Sequence, residues 1–291
     1  MSEVDDTLQS PPAADRSAER VTDLVFDVGL HRGEDTAFYL AMGYRVVAFE
    51  ADPGHVADCR ERFDAELSDG RLTIVEGAIA EAGIESIAFF RNTANSSWGT
   101  TDGEWVGRRE ATAGFERVEV GTVDFPAALK KYGVPQFMKI DIEGADRLCL
   151  EALRDCGARP RFVSIESDKL SFNEVKNELE LFDELGYKRF AVVQQAGVPG
   201  SSIETNDLAG RSLSYRFERD ASGAFGGDVG PWLDREAAIK RYRRIFYVYK
   251  IFGEGGLLRS FRLGRIIAVR LPRYKGHRIP GWYDTHADFG E

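Results

Sequence analysis

Asp27-Val28-Gly29-Leu30-His31-Arg32-Gly33 follows directly on the apolar run Val21–Val28 and leads into a helix-forming stretch, Glu34–Met42. A strand that feeds a glycine turn and then a helix leaves backbone N–H groups free to approach a ligand. The next apolar run, Tyr44–Phe49, ends in Glu50. A carboxylate at the tip of that second strand can accept the hydroxyls of a ribose. This is the local plan of a site for a nucleoside-type ligand. A dinucleotide fingerprint wants glycine where His31 stands, so close approach of a pyrophosphate is disfavoured.

Outward from this stretch, strand and helix patterns alternate from Val21 to Gln195. The short apolar runs Leu72–Val75, Phe137–Ile142, Phe162–Ile165 and Arg189–Val193 continue the series, bounded by turn signals and rich in β-branched or aromatic residues. Helices are expected over Glu34–Met42, over Pro53–Leu67 with Asp52 as N-cap and Pro53 in the first turn, over Ala145–Cys156, and over Phe172–Leu185 after Ser171. The pattern predicts an α/β fold with a doubly wound, mostly parallel sheet. Ser86–Val120 interrupts it with two β-like runs around Asn95-Ser96-Ser97-Trp98, which reads as a hairpin insertion at the ligand edge.

The second informative stretch is Phe137-Met138-Lys139-Ile140-Asp141-Ile142-Glu143-Gly144. Lys139, Asp141 and Glu143 alternate, so they share one face at the carboxyl end of a strand, the end that borders the ligand crevice in such sheets. The following strand again ends in an acid, Ser164-Ile165-Glu166. S-adenosylmethionine, a nucleoside that carries no phosphate, suits the glycine loop better than a dinucleotide does.

Taken together, the glycine loop, Ala48-Phe49-Glu50, the Lys139–Gly144 block and Ser164-Ile165-Glu166 resemble the FkbM family of S-adenosylmethionine-dependent methyltransferases. The resemblance covers roughly residues 21 to 195, and the Lys-Ile-Asp-Ile-Glu-Gly block is its most specific part. It implies a class I methyltransferase, Rossmann-like fold acting mostly on oxygen, commonly on sugar or natural-product hydroxyls. It further implies that Asp27, Gly29 and Gly33 surround the methionine part of the cofactor with Thr36 near its carboxylate. By the same resemblance Glu50 takes the ribose, Ala78 borders the adenine, and Asp141 faces the methyl-transfer centre. A hydroxyl acceptor must lose its proton, and Asp141 is the first candidate base, with His31 and Glu166 behind it. Alternatively Asp141 and Glu143 hold a divalent cation such as magnesium, for which carboxylates are suitable hard ligands.

The chain has 291 residues and a formal net charge of -10, distributed unevenly. Arg235–Arg278 carries thirteen Lys/Arg against two Glu. The acidic total argues against general nucleic-acid binding, while this local excess marks a basic C-terminal module. It offers either a solvated face, a site for an anionic part of the acceptor, or peripheral contact with an anionic membrane. The expected organisation is a disordered tail over 1–20, a methyltransferase domain over 21–196, and a C-terminal substrate-shaping elaboration over 197–291. Within the elaboration, a loop-rich stretch after Gln195 precedes a basic-aromatic helix over Arg235–Phe252, a second basic stretch over Leu257–Arg273, and a tail holding Trp282, Tyr283, Asp284 and His286. Trp98, Trp282 and Tyr283 offer apolar faces to a sugar ring or simply pack. The cysteines Cys59, Cys149 and Cys156 show no metal spacing and read as reduced thiols. With no signal peptide or transmembrane run, a cytoplasmic enzyme with a small-molecule or glycan acceptor is expected. The rivals are a nicotinamide-dependent oxidoreductase, disfavoured by the missing glycine, and a non-catalytic Rossmann-like binding protein docking on membranes or acidic partners.

Overall fold

The structure, a computed structural model, describes residues 19–92, 99–101, 106, 114–142, 144–167, 171–252, 273–274, 277–278 and 281–290. The expected N-terminal tail, the Asn95–Trp98 loop, Glu143 and most of the Leu257–Arg273 stretch lie outside these residues. Seven strands build the central sheet: β1 (Arg20–Val28), β2 (Arg45–Glu50), β3 (Leu72–Glu76), β7 (Val134–Ile140), β8 (Phe162–Glu166), β9 (Arg189–Gln194) and β14 (Tyr283–Asp288). Their order is β3-β2-β1-β7-β8-β14-β9, and only β14 runs antiparallel to its neighbours. The strands read as apolar runs because helices cover both faces, and alternate residues of β1 and β2 enter separate cores. Phe26, Val28, Val47 and Phe49 join one core, Val25, Val46 and Ala48 the other. The direction of winding reverses between β1 and β7. Loops leaving those two strands diverge there, which opens a crevice at the carboxyl edge.

The helices that flank the sheet are α1 (Glu34–Ala41), α2 (Pro53–Arg62), α3 (Asp64–Ser68), α4 (Phe125–Tyr132), α5 (Asp146–Ala152), α6 (Phe172–Glu184) and α7 (Arg235–Phe252). Asp52 caps α2 by accepting the Gly54 N–H at 2.7 Å, with Pro53 at the first position. Ser171 caps α6 through the Glu174 N–H at 3.2 Å. The single helix expected over Pro53–Leu67 is broken at Phe63 (φ -113°, ψ 30°), whose ring is drawn beneath the glycine loop. The helix expected to reach Cys156 ends at Ala152 and tightens into a 3-10 turn over Leu153–Asp155.

The interruption after β3 is a small sheet of order β4-β6-β5, in which β5 (Ser86–Asn92) and β6 (Phe115–Val123) form the expected antiparallel pair and β4 (Ala78–Ile79) joins β6. The segment after Gln195 is more ordered than its Gly, Pro and Ser content suggests. It contains an antiparallel hairpin of β10 (Ser202–Asn206) and β11 (Ser212–Arg216). The short pair β12 (Arg273–Tyr274) and β13 (His277–Arg278) follows α7. The expected C-terminal tail is in fact strand β14, seated between β8 and β9, so the last residues of the chain complete the central sheet.

Candidate cofactor and methyl-transfer cleft

Gly29 (φ +98°) begins the loop after β1, and a Cβ there would lie 2.0 Å from the carbonyl oxygen of Asp141. Only glycine lets the loop pass so close to the end of β7. Gly33 (φ +80°) serves packing in the same way, since a Cβ would meet the Phe63 ring at 2.3 Å. Contrary to the expectation of free donors, the loop spends its N–H groups internally. Those of Gly29 and Leu30 both donate to the Phe49 carbonyl at 3.0 Å, that of Gly33 to the Leu30 carbonyl at 2.8 Å, and that of His31 to Glu50 Oε2 at 2.7 Å. His31 reaches this bond from a left-handed backbone (φ 51°). Glu50 Oε1 accepts the Asp52 N–H at 2.8 Å, so one carboxylate ties the loop to the end of β2 and keeps a lone pair on each oxygen for a ligand. Burial pushes the Glu50 carboxyl up to about 7 despite these two bonds.

Beneath the loop, Lys139 is buried among carboxylates. Its Nζ lies 3.3 Å from Asp35 Oδ2, 3.4 Å from Asp141 Oδ2 and 3.7 Å from Asp27 Oδ1. Burial alone would lower the lysine's pKa, but Asp141, Asp35, Asp27 and the nearby Asp284 outweigh it and hold the ammonium charged. One ammonium does not compensate every acid around it. Burial raises the carboxyls of Asp27 and Asp35 against the pull of Lys139. Thr36 Oγ1 donates to Asp27 Oδ2 at 2.6 Å, and the Ser222 N–H to Asp35 Oδ1 at 2.8 Å. Asp284 of β14 accepts from Gln195 Nε2 at 2.6 Å, and burial drives its carboxyl well above the usual range.

Gly29, His31, Glu50, Ala78 and Asp141 all border the one cleft at this edge. Asp141 is half-exposed into it, which leaves its carboxylate accessible. Asp27, Gly33 and Thr36 are not on the wall. They lie under it, Asp27 and Thr36 fully buried, and support the loop. Glu166 is also absent from the wall; it sits one strand beyond β7, opposite Asp284. Sequence reasoning missed Glu34, Asp35, His55, Phe89 and Asp220, which the fold adds to the cleft. His31 is engaged with two of them, its Nδ1 3.3 Å from Glu34 Oε2 and its ring edge-on to His55. Acids in the first turn of α1 look like ordinary helix-dipole partners, which hides Glu34 and Asp35 in the sequence. Tyr283 bonds Gln194 Nε2 through its hydroxyl at 3.2 Å, Trp282 is exposed, and His286 is buried in β14.

The methyltransferase FkbM domain matches residues 27–189, from the end of β1 to the first residue of β9. The chain belongs to the FkbM methyltransferase family. This enzyme is an S-adenosylmethionine-dependent methyltransferase of class I, Rossmann-like architecture. A stretch of 93 residues is 36% identical to the Haloarcula marismortui protein named "Probable ribosomal RNA small subunit methyltransferase A", covering 30% of this chain and 32% of that protein. The chain thus spans about a third of that relative's length. Among solved structures, an O-methyltransferase from Bacillus cereus in complex with SAH is 14% identical with a TM-score of 0.32, over 66% of this chain and 71% of that one. The glycopeptide N-methyltransferase MtfA complexed with S-adenosylmethionine is 14% identical with a TM-score of 0.31, over 93% and 88%.

The FkbM enzyme's cleft fits a cationic nucleoside. Glu34, Asp35, Glu50, Asp141 and Asp220 face it against the single ammonium of Lys139. A sulfonium and an amino group are attracted by that field, whereas a pyrophosphate is repelled and finds the loop donors already used. Glu50, Ala78 and Ile79 border this cleft, and Asp27 and Thr36 lie buried beneath its glycine loop.

Proposed function

We propose that the enzyme methylates a hydroxyl oxygen of a saccharide, glycolipid or glycosylated natural product, with Asp141 as the base. The observation that supports this reading is the placement of Asp141, accessible in the cleft, next to the glycine loop, with Oδ2 set against Lys139 at 3.4 Å. When bound, S-adenosylmethionine would supply an electrophilic methyl group on a sulfonium, the electron pair of the broken S–C bond staying on sulfur as a neutral thioether. Lys139 fixes the Asp141 carboxylate in one orientation through Oδ2, and Oδ1 remains to accept the hydroxyl proton as the new O–C bond forms. His31, tied to Glu34 and His55, serves better as wall than as base, and Glu166 lies a strand away. Free Cys59, Cys149 and Cys156 suit a reducing, cytoplasmic setting. Among the described residues no helix is long and apolar enough to cross a membrane.

A metal-assisted form of the same transfer has two candidate ligand sets. One is Asp141 with Glu143, of which Glu143 lies outside the described residues. The other is His31, Glu34 and Asp220, whose ligand atoms all lie within 4.8 Å of one another. Methyl transfer from labelled cofactor to a panel of sugar, glycolipid and polyketide acceptors tests the proposal. Asp141→Asn is expected to lower turnover about a hundredfold or more while cofactor affinity changes little. Near-normal turnover in that variant removes Asp141 from the chemistry. Activity that survives EDTA assigns the proton to Asp141 directly, and activity lost to EDTA and restored by magnesium assigns it to a metal-bound hydroxyl.

A further inference from the structure

The outward side of α7 carries Lys240, Arg243, Arg244 and Lys250, all exposed, with Tyr247 at 67% exposure among them. Steps of three and four residues put Lys240, Arg243, Arg244, Tyr247 and Lys250 on one stripe, with Ala238 and Tyr242 buried on the opposite side and Phe246 buried along its edge. None of the four cations has an ion-pair partner among the described residues. Elsewhere on the surface Arg45, Arg60, Arg62, Arg71, Arg147 and Arg154 are each matched with a carboxylate. These four cations therefore gather on one face of a single helix without a neutralising acid among the described residues, and the excess of thirteen basic residues over two Glu in Arg235–Arg278 has the same sign.

A groove of about 510 Å3 opens beside the stripe, with Ser171, Phe172 and Asn173 at the start of α6 on one side and Arg243, Tyr247 and Lys250 on the other. The rings of Phe172 and Phe246 meet there with centroids 5.5 Å apart. Three turns of α7 therefore present cations, an aromatic ring with a polar tip and a concavity of headgroup size together. The far end of the helix points to the carboxyl edge of the sheet, since Tyr249 bonds the Gly281 carbonyl and feels the charge of Glu166 at the end of β8.

We propose that this face of α7 docks the enzyme on an anionic lipid surface, with a phosphate headgroup entering the groove at Arg243 and Lys250. A planar surface touches one face only, so the acidic remainder of the chain stays in water, whereas a long polyanion such as RNA would have to pass it. Tyr247 adds an amphipathic ring suited to the headgroup layer. The docking is independent of which acceptor the cleft methylates.

Sedimentation of the full chain with vesicles tests it. The protein is expected to bind vesicles containing phosphatidylglycerol at low salt, to leave pure phosphatidylcholine vesicles unbound, and to dissociate as salt rises. Arg243→Gln/Arg244→Gln/Lys250→Gln should weaken partitioning about a hundredfold, since each surface cation contributes about fivefold. Tyr247→Ala should weaken it severalfold. These side chains are exposed, so an unchanged melting temperature and unchanged S-adenosylmethionine affinity are expected and show that the variants remain folded. Equal binding to neutral and anionic vesicles, or a triple variant that binds like the parent, overturns the proposal. So does absence of vesicle binding when the same variants lose affinity for inorganic phosphate or for RNA, which would give the face to a soluble anion instead.

Discussion

Under the cleft, β1, β7 and α1 bury Asp27 and Asp35 around the Lys139 ammonium, while the contact between β14, α7 and the end of β8 buries a set of neutral hydroxyls. There Ser167, Thr285 and Tyr242 join their hydroxyls in a closed triangle with edges of 2.5, 2.7 and 2.7 Å. His286 lies in the same strand with burial pushing its imidazole down to about 4, so it is neutral at physiological pH. The first arrangement sets more acids than cations beneath a cleft, which favours a cationic ligand there. The second satisfies its hydroxyls locally and adds no charge of its own. One half of the sheet is built to bind and the other to hold the sheet closed.

The sharpest break between the halves concerns backbone fit. Gly29→Ala puts a Cβ on the Asp141 carbonyl in a left-handed backbone and should cost about 4 kcal/mol, adding strain to overpacking. Gly227→Ala, in the segment leading to α7, meets nothing within 4 Å and should leave the urea midpoint almost unchanged. Equal costs would show that the loop is not held against β7 as described.

Titration should separate the halves by sign. Glu50, raised to about 7, keeps its proton in the folded chain where the unfolded chain has lost it, so its contribution to stability falls as pH rises from 4.5 to about 7. His286, lowered to about 4, resists protonation that the unfolded chain accepts, so its contribution is lost as pH falls from 6.5 to about 4. Each amounts to roughly 3 kcal/mol, and in the parent protein they oppose one another over the shared range. Urea midpoints across that range should fall more steeply towards acid in Glu50→Gln than in the parent. In His286→Leu they should fall towards neutral pH, a trend that the raised Asp27 and Asp35 reinforce. Identical profiles in both variants would contradict the assignment. A smaller effect is expected from Tyr242→Phe, which opens the hydroxyl triangle and should lower stability by about 1 kcal/mol without changing cofactor affinity.

The binding half was legible in the sequence and the closing half was not, for a physical reason. β1, β2 and β7 are covered on both faces and so appear as apolar runs, with Gly29, Glu50 and Asp141 standing out at their ends. α7 showed its bounds because its buried and basic positions repeat at helical spacing. β14, Tyr-Asp-Thr-His-Ala-Asp, has no apolar alternation to find. Its polar residues are tolerated inside because distant ones meet them: Gln195 for Asp284, Tyr242 and Ser167 for Thr285, and Arg161 and Arg189 for Asp288. The hairpin β10–β11 did alternate, but the surrounding glycines and prolines obscured it. The Phe63 break in the helix after Pro53 depends on Gly33, thirty residues earlier, and has no local signal.

We propose that Glu50, which ties the glycine loop to the end of β2, also holds the ribose of S-adenosylmethionine in the cleft. Calorimetric titration of the cofactor into the parent protein and Glu50→Ala at pH 8, above the range in which Glu50 holds its proton, tests it most directly. The account predicts a loss on the order of 2 kcal/mol, about thirtyfold in affinity, because the ribose hydroxyls lose a charged acceptor in a partly dry site. Unchanged affinity in a folded Glu50→Ala variant would contradict it.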